Sequence, residues 1–228
     1  MMSYIKYFLL LPVAVWVLFN VWVYGSVVSL RALAPADTAF MRMRTERVAA
    51  ERPQQQTDYR WVPYGQISPQ LKKALIASED AAFTRHNGFD WKGITQAAKR
   101  NSRNGGVRAG GSTISQQLAK NLFLNDKRSY WRKSEEALIT AMLEAAADKQ
   151  RIYELYLNVI EWDYGVYGAE AAAQHFYRRP AAALDKVQAA RLAARVPSPL
   201  HYADHPRDAR LQRKTALILK RMNTAVIP

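Results

Sequence analysis

A chain of 228 residues, 49% hydrophobic and 23% charged, can fill one sizeable core beside a short anchor, and is neither disordered nor wholly embedded in lipid. It has no cysteine, which excludes disulfides, thiolate zinc sites and cysteine nucleophiles, and its four histidines form no HExxH-type pair for zinc. A formal net charge of +14 calls for an anionic partner: nucleic acid, acidic lipid headgroups or a phosphorylated substrate.

Residues 7–30, YFLLLPVAVWVLFNVWVYGSVVSL, carry no charge between Lys6 and Arg31. The length suits one bilayer crossing, with Trp16, Trp22 and Tyr24 placed for an interface. A cleaved signal peptide is the alternative, because Ala32-Leu33-Ala34 offers a cleavage pattern; a signal core of about 7–15 residues would be shorter than this run. Lys6 flanks one side and Arg31, Arg42, Arg44 and Arg47 the other, so the positive-inside rule taken literally keeps the C-terminal domain in the cytoplasm. Residues 34–51 read as a juxtamembrane helix with spaced basic residues, and 52–65, with a glutamine run and prolines, as an irregular linker. The division is therefore a short N-terminus at 1–6, an anchor at 7–30, a juxtamembrane helix and linker at 31–65, and a globular domain at 66–228.

From there the signals are helical. Ser68-Pro69 is an N-cap followed by proline at the first helical position. The helix it opens runs to Glu79-Asp80, two acids where the helix dipole is negative. Asp90 can cap a helix to about Arg100. Thr113-Ile-Ser-Gln116 is a capping-box pattern opening a helix to about Leu124. Ser129 can cap a helix through Ala147, and Asp148 another with Ile152, Leu155 and Val159 on one face. Asp185-Lys-Val-Gln188 is a second capping box. A last basic amphipathic helix turns Leu211, Ile218 and Met222 toward the core. Alternating strand patterns are scarce, so the class is all-α or mainly α.

Residues 101–113, NSRNGGVRAGGST, approach a phosphate-binding P-loop, with Gly106 and Gly111 correctly spaced. Ser112 stands where the decisive lysine would be and a helix, not a strand, precedes the loop, so nucleotide hydrolysis is rejected. Glycines that let backbone approach a ligand, a helix N-terminus at Thr113, and Arg103 and Arg108 still make a candidate anion site. Farther on, Arg132 and Lys133 lie four and three residues before Glu136, spacings that bring side chains together on a helix. Taken alone that is an ordinary surface ion pair, and Glu135 competes as the partner.

Five ordered blocks resemble the peptidoglycan glycosyltransferases of glycosyltransferase family 51, and among them the monofunctional biosynthetic transglycosylases. They are Glu79-Asp80-x-x-Phe83-x-x-His86-x-Gly88; residues 110–121, GGSTISQQLAKN; Arg132-Lys133-x-x-Glu136; Lys149-x-x-Ile152-x-Glu154-x-Tyr156-Leu157-Asn158; and residues 190–199, ARLAARVPSP. Ser115 stands where the family usually has threonine, Ala147-Asp148 where it has Tyr-Ser, and Asp163 where it has glycine. The resemblance implies a mainly α, lysozyme-like domain behind one transmembrane helix. It would be held at the outer, periplasmic face of the bacterial cytoplasmic membrane. The implied activity is polymerisation of lipid II into β-1,4-linked glycan, with inversion at the donor sugar and release of undecaprenyl diphosphate. Chain length leaves no room for a transpeptidase.

The resemblance also implies site residues. Glu79 is the base for the acceptor 4-hydroxyl, its pKa raised by the helix end, by Asp80 and by burial. Lys120, Arg132 and the N–H groups near Ser112 and Thr113 clamp the leaving diphosphate, with Lys133 adding to them. Gln116, Gln117 and Asn121 offer neutral hydrogen bonds, although Gln116 could instead only close its capping box. Asp80 orients the site or pairs with a cation, and His86 shapes the turn or meets substrate. Glu136, the second family carboxylate, is open among orienting Arg132, placing the acceptor and helping a magnesium or manganese ion at the diphosphate; no metal ligand set and no organic cofactor is assigned. Ile152, Tyr156 and Leu157 read as core and Asn158 as a bridging amide. Implied partners are lipid II, the lipid-linked glycan chain, the membrane, and cell-division or wall-synthesis proteins, with no nucleic acid. Two rivals stand against this: a lytic glycan hydrolase using Glu79 as acid, which needs no diphosphate clamp, and a basic membrane scaffold, which leaves the five blocks unexplained.

Overall fold

The computed structural model describes residues 2–103, 111–127 and 129–228. Gly106, Arg108 and Gly110, and the side chain of Arg103, lie outside the described residues. The chain opens with helix α1, Met2–Ser29. Its stretch Leu11–Ser29 has a mean hydropathy of 1.8 and is the one span among the described residues long and apolar enough to cross a membrane. At 1.5 Å per residue those 19 residues reach roughly 28 Å, close to a hydrocarbon core of about 30 Å. The far end of α1 is tied to the globular body: Arg151 donates to the carbonyls of Leu30 at 2.8 Å and Leu33 at 2.7 Å.

Helix α2, Ala39–Glu51, begins where the Thr38 hydroxyl accepts the Met41 N–H at 3.1 Å. Phe40 and Met41 enter the main core, so this juxtamembrane helix is part of the globular body. The stretch expected as an irregular linker holds strand β1, Asp58–Tyr59, and a tight turn at Tyr64–Gln66. A strand of two residues has no periodicity to read, and it exists here because of a partner more than a hundred residues away.

Next come α3 (Pro69–Glu79), α4 (Trp91–Arg103), α5 (Ile114–Phe123), α6 (Tyr130–Ala146) and α7 (Lys149–Val159). Strands β2 (Glu161–Asp163) and β3 (Val166–Tyr167) come after α7, then α8 (Ala169–Tyr177), α9 (Lys186–Arg195), α10 (Pro199–Asp204) and α11 (Ala209–Arg221). The sheet order is β1-β3-β2: β1 runs parallel to β3, with Asp58 opposite Val166, and β2 antiparallel to it. The caps at Ser68, Thr113, Ser129, Asp148 and Asp185 all form as the sequence indicates, and Asp90 accepts the Gly93 N–H at 2.9 Å. Pro199 opens α10 at its first position, where a missing N–H costs nothing.

Helix α5 is the central element, packed on α2, α6 and α7, while α3 packs on α9 and α11. Ile114, Leu118 and Ala119 of α5 are fully buried, as are Tyr153, Tyr156, Trp162 and Tyr167. Asn158 joins α7 to the entry segment: its amide donates to Val62 O at 3.0 Å and its carbonyl accepts Val62 N–H at 3.0 Å. Gly168 lies directly against it; with φ +84°, a Cβ there would stand 2.5 Å from the backbone carbonyl oxygen of Asn158. Only glycine lets the strand turn into α8 that close to α7.

Candidate active site

The paired acids at the end of α3 divide their tasks. Asp80 caps the helix, is 7% exposed, and turns inward. Its Oδ2 accepts the Ile114 N–H at 3.1 Å, and His86 Nε2 lies 3.0–3.1 Å from its two carboxylate oxygens. Phe83, fully buried, packs edge-on against His86. Asp80 thus locks the end of α3 to the start of α5, and its charge is welcome because a helix N-terminus is electropositive. Gly88 completes the turn at φ +87°: its carbonyl accepts the Thr113 hydroxyl at 2.6 Å, and a Cβ would come within 2.8 Å of Thr140 Cγ2.

Glu79 is left facing the cleft. Ser78 Oγ donates to its Oε1 at 2.8 Å and Gln117 Nε2 to its Oε2 at 3.2 Å. Burial is the largest influence on the carboxyl and pushes its pKa up; Asp80 adds to this, while the two hydrogen bonds and Lys214 oppose it. The residue keeps part of its surface open to the cleft even though its carboxylate is deeply set. It forms the shared wall of two cavities. One, about 310 Å³, is lined by Asp80, Arg85, Asp90, Gly111, Ser112 and Thr113 among others. The other, about 340 Å³, is lined by Ser112, Gln116, Gln117, Lys120, Arg132, Lys133 and Glu136, closed by Val196 and Pro197.

The second cavity is the cationic one. Arg132 donates to Glu136 at 2.7 Å and to the Lys127 carbonyl at 2.6 Å. Lys133 pairs with the other Glu136 oxygen and reaches Ser112 Oγ at 3.2 Å. Glu136 is 3% exposed and pairs with both cations. Its proximity to Arg132 and Lys133, not Glu135, resolves the ambiguity of spacing. Lys120 makes no ion pair among the described residues, and burial pulls its pKa below the ordinary lysine value.

The donors expected at the start of α5 are largely used inside the protein. Thr113 N–H goes to Gln116 Oε1 at 3.0 Å, Gln116 N–H to Thr113 Oγ1 at 3.2 Å, and Ile114 N–H to Asp80. The capping box and the Asp80 carboxylate engage these three N–H groups, so they are not offered to the cavity. Gln116 spends its carbonyl on the cap while lining the cavity. His86 and Asn121 line neither cavity.

Two features go beyond the sequence reading. Tyr156, expected as core, also donates its hydroxyl to Gln117 Oε1 at 3.2 Å, and Ser78 touches Glu79 directly. A hydroxyl at the end of a buried ring carries no sequence mark, whereas a serine adjoining the site acid is a signal that could have been used. The second feature is an apolar groove of about 750 Å³ between α1, α2 and the α5–α6 junction, lined by Val15, Trp16, Phe19, Met43, Phe123 and Trp131 among others. Arg132 lines this groove as well as the cationic cavity. No group of three His, Cys, Asp or Glu suited to a metal occurs among the described residues, and both Glu136 oxygens are already engaged.

The sequence profile of the Transglycosylase family matches residues 45–223. A biosynthetic peptidoglycan transglycosylase of Neisseria meningitidis serogroup C (strain 053442) is 60% identical over 228 residues, covering 100% of this chain and 98% of its own length. One from Neisseria gonorrhoeae is 58% identical with the same coverage. Another, from Laribacter hongkongensis (strain HLHK9), is 56% identical over 215 residues, 94% of each chain.

Proposed function

We propose that this chain, which belongs to the transglycosylase family, polymerises peptidoglycan glycan chains using lipid II as acceptor and a lipid-linked glycan as donor. The observation that carries the reading is the order of the three compartments. An apolar groove meets the cationic cavity at Arg132, and the cationic cavity meets the cavity beside Asp80 and Arg85 at Glu79. That order matches a substrate built as isoprenoid, diphosphate and sugar.

In this reading the acceptor 4-hydroxyl lies against Glu79. Its oxygen attacks C1 of the donor sugar from the face opposite the α-linked diphosphate. The hydroxyl proton goes to Glu79, and the electron pair of the breaking C1–O bond leaves with undecaprenyl diphosphate. The new linkage is β-1,4 and the carbon is inverted. Burial gives Glu79 the proton affinity an ordinary carboxylate lacks, and Ser78 and Gln117 keep it ionised and aimed. Lys120, Arg132 and Lys133 gather the charge that grows on the diphosphate, Lys120 from the more buried position and Lys133 from the exposed rim. Glu136 holds two of those cations in place. Among the described residues no three His, Cys, Asp or Glu side chains form a chelating group, so a magnesium or manganese ion at this site would be held by the phosphate oxygens of the substrate.

The apolar helix α1 anchors the enzyme in the cytoplasmic membrane, and the catalytic domain stands at its outer face. The basic surface then meets acidic lipid and diphosphate rather than nucleic acid. The test is full-length protein in detergent with labelled lipid II, its products resolved on a gel, and Glu79→Gln as control. Glycan ladders from the wild type and none from a folded Glu79→Gln enzyme are expected. Cleavage of preformed glycan without polymerisation would replace this reading with a hydrolase.

A further inference from the structure

The cation that receives the leaving group in this reading is backed by the juxtamembrane helix. Lys120 Nζ lies 5.4 Å from the centroid of the Phe40 ring on α2, and the Arg44 guanidinium lies 5.2 Å from the same ring. Arg44 Nε is in turn 3.5 Å from Glu161 Oε2 on β2. Glu161 is 6% exposed, and neither its Oε1 nor Arg44 Nε has a hydrogen-bond partner among the described residues. A buried carboxylate so loosely paired is costly to fold around. Lys120 and Glu161 are within electrostatic reach of each other, and the Glu161 charge helps hold the ammonium protonated against the pull of burial.

We propose that Phe40 and Glu161 are positioning residues for Lys120: the ring fixes where the ammonium stands, and the carboxylate behind it keeps it charged as the diphosphate departs. The inference rests on the reading of Lys120 as a diphosphate cation. Among the described residues, the charged groups that act most strongly on Lys120 are Glu136 and Arg132 from α6, Glu161 from β2 and Arg44 from α2. The two carboxylates raise its proton affinity and the two arginines lower it, so removing one from each class must act with opposite sign.

The experiment measures kcat and KM for lipid II polymerisation against pH, using full-length protein whose folding is checked by thermal melting. Glu161→Gln is expected to move the alkaline limb of kcat/KM to lower pH by about half a unit, and Arg44→Gln to move it upward. A purely structural cluster would move both the same way or neither, and either result overturns the proposal. Phe40→Leu is expected to lower kcat by about 3–10-fold with KM little changed, and Phe40→Tyr, which keeps the aromatic face, to restore most of it. Equal rates for Phe40→Leu and Phe40→Tyr would also overturn it. Lys120→Ala is the separate control. Wild-type rates from that variant would overturn the reading of Lys120 itself. An inactive Lys120→Ala with unchanged Phe40→Leu and Glu161→Gln would overturn only this inference.

Discussion

Gln117 holds Glu79: its amide nitrogen donates to Glu79 Oε2 at 3.2 Å. The other end of the same amide accepts the Tyr156 hydroxyl at 3.2 Å, which fixes the amide's orientation. The donor therefore always faces the carboxylate and favours its ionised form. Gln117→Leu removes that bond, so the Glu79 pKa, already raised, rises further. The acid limb of kcat/KM should move to higher pH by about half a unit, and the rate at a fixed pH below neutrality should fall. Tyr156→Phe should do the same more weakly. A pH–rate profile checks both, and an acid limb moving to lower pH would contradict the geometry.

Glu79 should cost stability while serving chemistry. Its folded pKa lies above the unfolded value, so the native state binds the extra proton. Its contribution is present at low pH and is lost as pH rises through the folded pKa. At neutral pH Glu79→Gln should thus melt a few degrees higher than wild type, a gain of roughly 1 kcal/mol, while making no polymer. The difference should shrink at pH 4. Thermal melts of both proteins across pH test this, and a lower melting temperature for the variant at neutral pH would refute it.

Glu161 gives a second pH signature. Burial raises its pKa to about 7, with Arg44 and Lys120 opposing. Since the unfolded value is lower, its contribution to stability declines as pH rises from about 5 through 7. Wild-type melting temperature should fall over that range, and Glu161→Gln should flatten the fall.

Arg132 is not replaceable by lysine. Its Nε bonds the Lys127 carbonyl while NH1 bonds Glu136, and a single ammonium cannot make both contacts and still face the cavity. Arg132→Lys should reduce kcat by about 10-fold or more with melting temperature nearly unchanged. Steady-state kinetics with lipid II decide this, and wild-type kcat would rule out the forked role.

Gly88→Ala should be severe for a position carrying no side chain. It combines φ +87° with a Cβ 2.8 Å from Thr140 Cγ2. A loss of about 2–3 kcal/mol is expected, read from denaturant unfolding. A loss below about 0.5 kcal/mol would show that the turn relaxes freely.

Much of the fold could be read locally. The caps at Ser68, Thr113, Ser129, Asp148 and Asp185 form because each needs only a side-chain oxygen and an N–H two or three residues away. The apolar run of α1 and the Arg132–Glu136 pair were legible for the same reason, since helical spacing brings their members together. Strand β1 was not, because its pairing with β3 spans more than a hundred residues and two residues carry no pattern.

By itself, the sequence determined which residue types were available for the chemistry and which short elements carry them. It placed Glu79 and Asp80 side by side at a helix end but was silent on how they differ. Tertiary structure decided that Asp80 spends its charge on the Ile114 N–H while Glu79 keeps its charge for the cleft. It also decided that α2 stands behind Lys120 and that an apolar groove opens at Arg132. The physical reason is that a carboxylate's pKa and a cation's freedom depend on burial and on partners from distant segments, and neither exists until the chain has packed.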